Sequence, residues 1–131
     1  IKCYQYTILN RSYSEGAYFR KGWVVREKLD VAVMVDAARI FLGQHDFNAF
    51  RAGDCSAKSS IRTFLLSEIT QPEPGIILYT VYGKGFLKYM IRILTGTLVE
   101  VGKGKVTIDQ LKQILNSGSR LEAGPTAPAY G

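Results

Sequence analysis

Apolar and polar positions alternate where the chain opens. Between Lys2 and Leu9, residues Tyr4, Tyr6 and Ile8 share one side, which predicts a strand. Trp23-Val24-Val25 within Gly22–Arg26 predicts a second, with polar Asn10–Arg20 as a loop between them. The period then changes. Val31, Met34, Val35, Ala38, Phe41 and Leu42 recur at helical spacing behind Asp30, a capping residue, and Gly43 ends this helix. Gln44–Ser60 follows neither period and predicts a long irregular segment, packed down through its aromatic residues. Ile61–Ile69 and Ile76–Tyr82 predict a hairpin around Gln71-Pro72-Glu73-Pro74-Gly75. Gly83-Lys84-Gly85 then turns into an apolar helix, Phe86–Val101, with Gly102 as its stop. Thr107 and Gln110 form a capping box for a last helix, Ile108–Leu115, with Gly118 beyond it and an extended, turn-rich tail over Gly124–Ala129. Strand, strand, helix, strand, strand, helix, helix predicts an α+β fold: an antiparallel sheet with helices packed mainly on one face.

The helix Phe86–Val101 carries apolar residues on nearly every side, so it is predicted to be buried. Lys88, Arg92, Gly96 and Glu100 recur every fourth residue and form its one polar stripe. Gly96 leaves room beside Arg92 for another group to approach. A desolvated guanidinium needs an anion, since removing the partner of a buried charge costs about 3–5 kcal/mol. Glu100 lies two turns away, so the carboxylate or phosphate is expected from elsewhere. The plainer reading is a cation that snorkels to water.

With 131 residues and 47% apolar content, the chain is one domain with an ordinary core. Lys88 and Arg92 interrupt its longest apolar stretch, which argues against a membrane span. The chain starts without Met, inside a strand-like run, and is expected to be a piece of a longer protein. Cys3 and Cys55 form no CxxC, and His45 is the one histidine. This predicts a reduced, cytoplasmic setting (an organelle in a eukaryote), no metal site and no Ser-His-Asp triad. Seventeen basic against eleven acidic residues give a net charge of +6, which suits a polyanionic partner.

Three short segments could carry chemistry. Lys2-Cys3-Tyr4-Gln5-Tyr6 places two tyrosines on one strand face, where a ring can stack on a base and a hydroxyl can move a proton; otherwise they are half-buried strand aromatics. Lys58-Ser59-Ser60-Ile61-Arg62 offers cations and hydroxyls to phosphate, or is a solvated strand start. His45-Asp46-Phe47-Asn48-Ala49-Phe50-Arg51 mixes polar groups with aromatics, and Asp46 alternatively caps a short turn. Gly83-Lys84-Gly85 is too short to cradle a phosphate.

In order and spacing, Lys2–Asn10, His45–Ala52, Lys58–Thr63, Gly85–Gly104 and Gly124–Ala129 together resemble the C-terminal half of tRNA pseudouridine synthases of the TruA type. The most specific parts are His45-Asp46-Phe47 with Phe50-Arg51-Ala52, Gly85-Phe86-Leu87 with Met90-Ile91-Arg92, and Leu98-Val99-Glu100-Val101-Gly102-Lys103-Gly104.

The resemblance implies half of a pseudouridine synthase fold and an isomerase. Such enzymes convert uridines in the tRNA anticodon arm to pseudouridine without metal or organic cofactor. A catalytic aspartate attacks the flipped uridine, the glycosidic bond breaks, and the uracil rejoins through carbon 5. By resemblance, Tyr4 packs against the uracil and is a candidate base for the carbon-5 proton. Arg92 pairs with the catalytic aspartate, and Ile91 lines the pocket. Lys58, Arg62, Arg51, His45 and Lys88 are the expected RNA contacts. The family's Gly-Arg-Thr-Asp element has no counterpart here, so the N-terminal half with its aspartate is expected to be absent and this chain inactive alone. Ile93 stands where the family usually has asparagine, and Lys88-Tyr89 replaces its commoner Tyr-Asn pair; the final strand after Gly131 is also expected to be missing. The expected partners are tRNA through its anticodon stem-loop, the missing half, and a second copy in a homodimer. A cut at Lys2–Leu9 would leave an open sheet edge that favours self-association. The alternative is a non-catalytic RNA-binding or assembly module derived from the same fold.

Overall fold

The structure, a computed structural model, describes residues 1–10, 22–53, 55, 57–120 and 122–129. The loop expected over Asn10–Arg20 lies outside these beyond Asn10. Five strands, β1 (Lys2–Leu9), β2 (Trp23–Val24), β3 (Gly43–Asp46), β4 (Ile61–Glu73) and β5 (Ile76–Gly83), form one sheet in the order β2-β1-β5-β4-β3. Three helices, α1 (Val31–Arg39), α2 (Met90–Gly102) and α3 (Ile108–Ser117), complete the α+β fold.

The sheet is mixed rather than purely antiparallel. β1 pairs antiparallel with β5 along its whole length, from Lys2 opposite Gly83 to Leu9 opposite Ile76. Its end also pairs in parallel with β2, Ile8 beside Trp23 and Leu9 beside Val24. Side-chain bonds make this return possible. Asn10 Nδ2 donates to the carbonyls of Val25 (2.9 Å) and Glu27 (2.8 Å), and Val25 N donates to Leu9 O. Val25 itself lies past the strand, in the core.

Several predicted boundaries shift. The segment expected to be irregular contains β3, paired antiparallel with β4, and a short 3-10 turn at Asn48–Phe50. Four residues of β3 are too few for alternation to register in the sequence. α1 ends at Arg39 and is capped by Ile40; Gly43, in the left-handed region at φ 86°, opens β3 instead of closing the helix. The β4–β5 ladder continues to Glu73 opposite Ile76, so the turn is tighter than the proline-rich run suggested. α2 starts at Met90, because Tyr89 adopts φ 60° and breaks the helical path. Lys88 therefore lies before the helix and outside the polar stripe. Gly102 belongs to the helix, and Gly104 takes the left-handed turn. The Thr107–Gln110 capping box is present, and α3 runs to Gly118 at φ 69°.

Core residues come from the sheet, from one stripe each of α1 and α3, and from nearly every side of α2. Tyr6 and Ile8 of β1, Ile77, Tyr79 and Val81 of β5, and Phe64 and Ile69 of β4 meet Met34, Phe41, Ile93, Leu94 and Leu98. Each such side chain, fully buried, contributes roughly 1.5–3 kcal/mol. Among the described residues, every buried side-chain nitrogen or oxygen has a hydrogen-bond partner. Ser67 Oγ donates its single proton to Ala38 O (2.7 Å), so Tyr79 must donate its own to Ser67 Oγ (2.9 Å). This relay ties β5 and β4 to α1. Burial pushes the Tyr79 phenol well above its ordinary value.

Because the native pKa of Tyr79 is raised, its stabilising contribution is intact below the unfolded value of about 10 and is lost as pH climbs beyond it. Tyr79→Phe is expected to cost about 1 kcal/mol at neutral pH and to shallow the alkaline loss of stability. Urea denaturation of both proteins from pH 8 to 11.5 checks this; parallel curves would refute it.

Candidate active site

α2 is buried on nearly all sides, as its composition predicts, and Arg92 and Ile91 are half-buried on its first turn. The guanidinium is thus not fully desolvated, and it already has a backbone partner. Nε donates to Ala127 O at 2.7 Å, while Ala127 N donates to Arg92 O at 2.9 Å. The tail expected to be merely extended is therefore a strap along α2. Its approach needs Gly96: a Cβ there would lie 1.7 Å from Pro125 O. Gly124 is equally constrained, since its own Cβ would come within 2.7 Å of Thr97 Cα. Gly124 N donates to Thr97 Oγ1 (2.9 Å), and Arg120 holds Gly124 O and Thr126 Oγ1. At the far end, Tyr6 Oη donates to Pro128 O. Glu100, on the same helix, is engaged with Lys103 at 3.5 Å. Among the described residues, no carboxylate lies within 4.0 Å of Arg92.

The guanidinium lies over the Tyr89 ring, 4.7 Å from its centroid, within cation–π range. Arg92, Ile91, Tyr89, Phe86, Tyr4 and Ala129 are among the residues lining an open cavity of about 390 Å³. Tyr4 is 44% exposed and meets Phe86 edge-on, centroids 5.0 Å apart. Phe86 leads inward to Phe64 at 5.6 Å, so the cavity wall is anchored in the core. Such a pocket offers flat apolar rings, a hydroxyl and a planar cation, which suit a heterocyclic base and an anion. A larger hollow of about 770 Å³ lies at the start of α1 and the α2–α3 turn. There Asp30 caps α1 and Lys103 pairs with Glu27 and Glu100, so their side chains are engaged within the chain.

The expected RNA contacts lie on two neighbouring segments. His45 sits opposite Arg62 across β3 and β4. Its Nε2 meets Leu42 O at 2.7 Å, and Arg62 Nη1 donates to the carbonyls of Ser59 and Ile61. Asp46 is not the cap of the short turn, whose N-cap is Phe47 without a side-chain bond; it instead accepts from Asn48 N (3.1 Å) and from Ser60 Oγ, shaping the loop that leads into it. Arg51 Nη1 donates to Ala57 O, and Ala52 N to Lys88 O, which binds this loop to the segment entering α2. The Cys55 thiol is held below its ordinary value first by the backbone N–H of Ala57, then by that of Lys88, with Arg51 adding to both. Lys58 is exposed, and Lys88 Nζ lies 5.3 Å from the Tyr89 ring centroid. Thus Tyr4, Ile91 and Arg92 share one cavity, with Lys88 at the Tyr89 ring beside it, whereas Arg51, Lys58, His45 and Arg62 belong to the adjoining loop and strands.

Tyr6 stood out in the sequence only as half of a tyrosine pair and Phe86 only as part of a family element; neither Tyr89 nor Ala127 carried an expected site role. Tyr89 stands three residues before Arg92, a helical spacing that would have paired them, but the backbone reversal at Tyr89 is what sets the contact. Nothing local marks Ala127 as a partner of a residue 35 positions away.

Fold and cavity define an α+β domain with a cationic, aromatic pocket at the start of a buried helix. Residues 37–131 match the family model described as tRNA pseudouridine synthase, and the chain belongs to that family. It is 43% identical to tRNA pseudouridine synthase A of Acetivibrio thermocellus over 131 residues, 99% of this chain and 53% of that protein. The same enzyme of Geotalea uraniireducens is 42% identical over 99% of this chain and 53% of its own length, and that of Myxococcus xanthus 42% over 99% and 49%. The chain spans about half the length of the curated relatives it matches.

Gly96→Ala is expected to destabilise the chain by about 1–3 kcal/mol despite the better helix propensity of alanine, because the strap must move. Urea midpoints measure this; a midpoint equal to or above that of the unaltered chain would contradict the close approach at Pro125.

Proposed function

We propose that this chain is the C-terminal half of a TruA-type tRNA pseudouridine synthase that isomerises uridines of the anticodon arm. The observation that supports it best is the shared cavity of Tyr4, Ile91 and Arg92, in a chain of this family. The catalytic aspartate would come from the half that precedes this chain in the relatives. Arg92, with Nε committed to Ala127, offers its terminal nitrogens to that carboxylate and keeps it ionised. A flipped uracil would lie against the exposed ring of Tyr4, whose phenol oxygen would serve as the base for the carbon-5 proton. Ile91 supplies an apolar wall. The aspartate adds to the uridine and the glycosidic bond breaks; the uracil turns within the cavity, carbon 5 bonds to carbon 1′ as the aspartate is released, and the proton lost from carbon 5 is balanced by one gained at N1.

Flipping costs a few kcal/mol, offset by stacking and by phosphate contacts from Lys58, Arg62, Arg51, His45 and Lys88. No metal or organic cofactor has a part in this scheme. The two halves would join through β1, whose outer edge pairs with β2 only at Ile8 and Leu9 among the described residues. The full protein acts as a homodimer in the cytoplasm, and the described residues contain no helix long and apolar enough to cross a membrane. This chain alone would bind RNA without converting it.

Tritium release from uridine-labelled tRNA tests the reading. The full-length protein is expected to be active and this chain inactive. Arg92→Ala in the full-length protein should lower the rate by about 10³-fold while the fold persists. Near-normal turnover in that variant, or an inactive full-length enzyme that still binds RNA, would overturn it; the latter result would mark a binding module.

A further inference from the structure

Tyr89 is the one non-glycine residue with positive φ among those described, at φ 60° and ψ 9°. A residue with a bulky side chain is disfavoured in this left-handed region, where glycine or asparagine fits better. Burial does not account for a large aromatic there, since Tyr89 is 47% exposed. Nor does helix capping, because its side chain makes no cap bond to α2. The ring's specific contact is with charge: the Arg92 guanidinium at 4.7 Å and Lys88 Nζ at 5.3 Å from the centroid.

We infer that Tyr89 is a positioning residue, forming with the Ala127 carbonyl a clamp that presets the Arg92 guanidinium. Ala127 O fixes Nε at 2.7 Å, and the return bond from Ala127 N to Arg92 O sets the strap in register. The ring lies against the guanidinium, its centroid 4.7 Å from Cζ. The Gly96 approach and the Tyr6 bond to Pro128 keep the strap in place. With Nε occupied and the ring packed against Cζ, the donors that remain are on Nη1 and Nη2, the edge that meets a carboxylate in bidentate fashion. Orientation is then fixed before the anion arrives, so less side-chain freedom is lost on pairing. The inference rests on the proposed pairing of Arg92 with a carboxylate of the other half.

The test compares Tyr89→Phe and Tyr89→Asn in the full-length protein, by steady-state kinetics on tRNA, thermal denaturation and the side-chain ¹H–¹⁵N spectrum. Tyr89→Phe keeps the ring and is expected to match the unaltered enzyme. Tyr89→Asn suits the backbone but removes the ring. It should lower kcat by about 10- to 100-fold, leave KM within about two-fold, and hold Tm within a few degrees. The Arg92 Nε–H resonance should lose its ring-current shift in Tyr89→Asn and keep it in Tyr89→Phe. Unchanged kcat in Tyr89→Asn would overturn the inference. So would an equal loss in Tyr89→Phe, or a raised KM at constant kcat, which would make Tyr89 an RNA contact. If the unaltered enzyme converts no uridine, the proposed function fails, while the resonance still decides the clamp. An Arg92 shift indifferent to Asn would then reject it.

Discussion

The site depends on one close packing of backbone against backbone. The strap Gly124–Ala129 crosses α2 at Gly96, where any side chain would collide with Pro125 O. That contact brings Ala127 to Arg92 and Pro128 to Tyr6, so β1, α2 and the tail are joined at a single place. Remove it and the cavity loses the wall that holds its cation. Thr95 and Thr97 assist, each returning its hydroxyl to the carbonyl four residues back, at Ile91 and Ile93; Thr97 Oγ1 then receives Gly124 N.

Half-burial gives the cation its character. A fully desolvated guanidinium without an anion would cost more than a small domain can spare. Here the guanidinium keeps a solvated side, one carbonyl and an aromatic face, enough to hold it without neutralising it. Lysine could not reproduce this: a point charge has no separate Nε to give the strap while presenting a fork elsewhere. The surrounding rings, Tyr4, Phe86 and Tyr89, are apolar enough to strengthen any ion pair formed in the cavity.

Much of the framework was legible in the sequence because it rests on local signals. Alternation at Tyr4, Tyr6 and Ile8, the Asp30 cap and the Thr107–Gln110 box each report their own neighbourhood, and each appears where expected. Arg92 in an apolar helix was visible for the same reason. Short β3 and the parallel β1–β2 contact were not, since neither depends on a period. The start of α2 was misplaced by four residues because hydrophobicity continues through Phe86 and Leu87, while the reversal at Tyr89 has no hydrophobic signature. The partner of Arg92 within the chain was hidden because a backbone carbonyl leaves no trace in residue identity. Gly96 did signal an approach beside Arg92; what arrives is the tail of the same chain.

The central proposal is that the terminal nitrogens of Arg92 are reserved for a carboxylate from the rest of a full-length protein of this family. A crystal structure of the full-length enzyme measures this most directly. The account predicts an aspartate oxygen of that remainder within about 3 Å of Arg92 Nη1 or Nη2, with the Nε bond to Ala127 retained. An Arg92 turned to solvent, or paired with a carboxylate of this chain while the catalytic aspartate lies elsewhere, would contradict it.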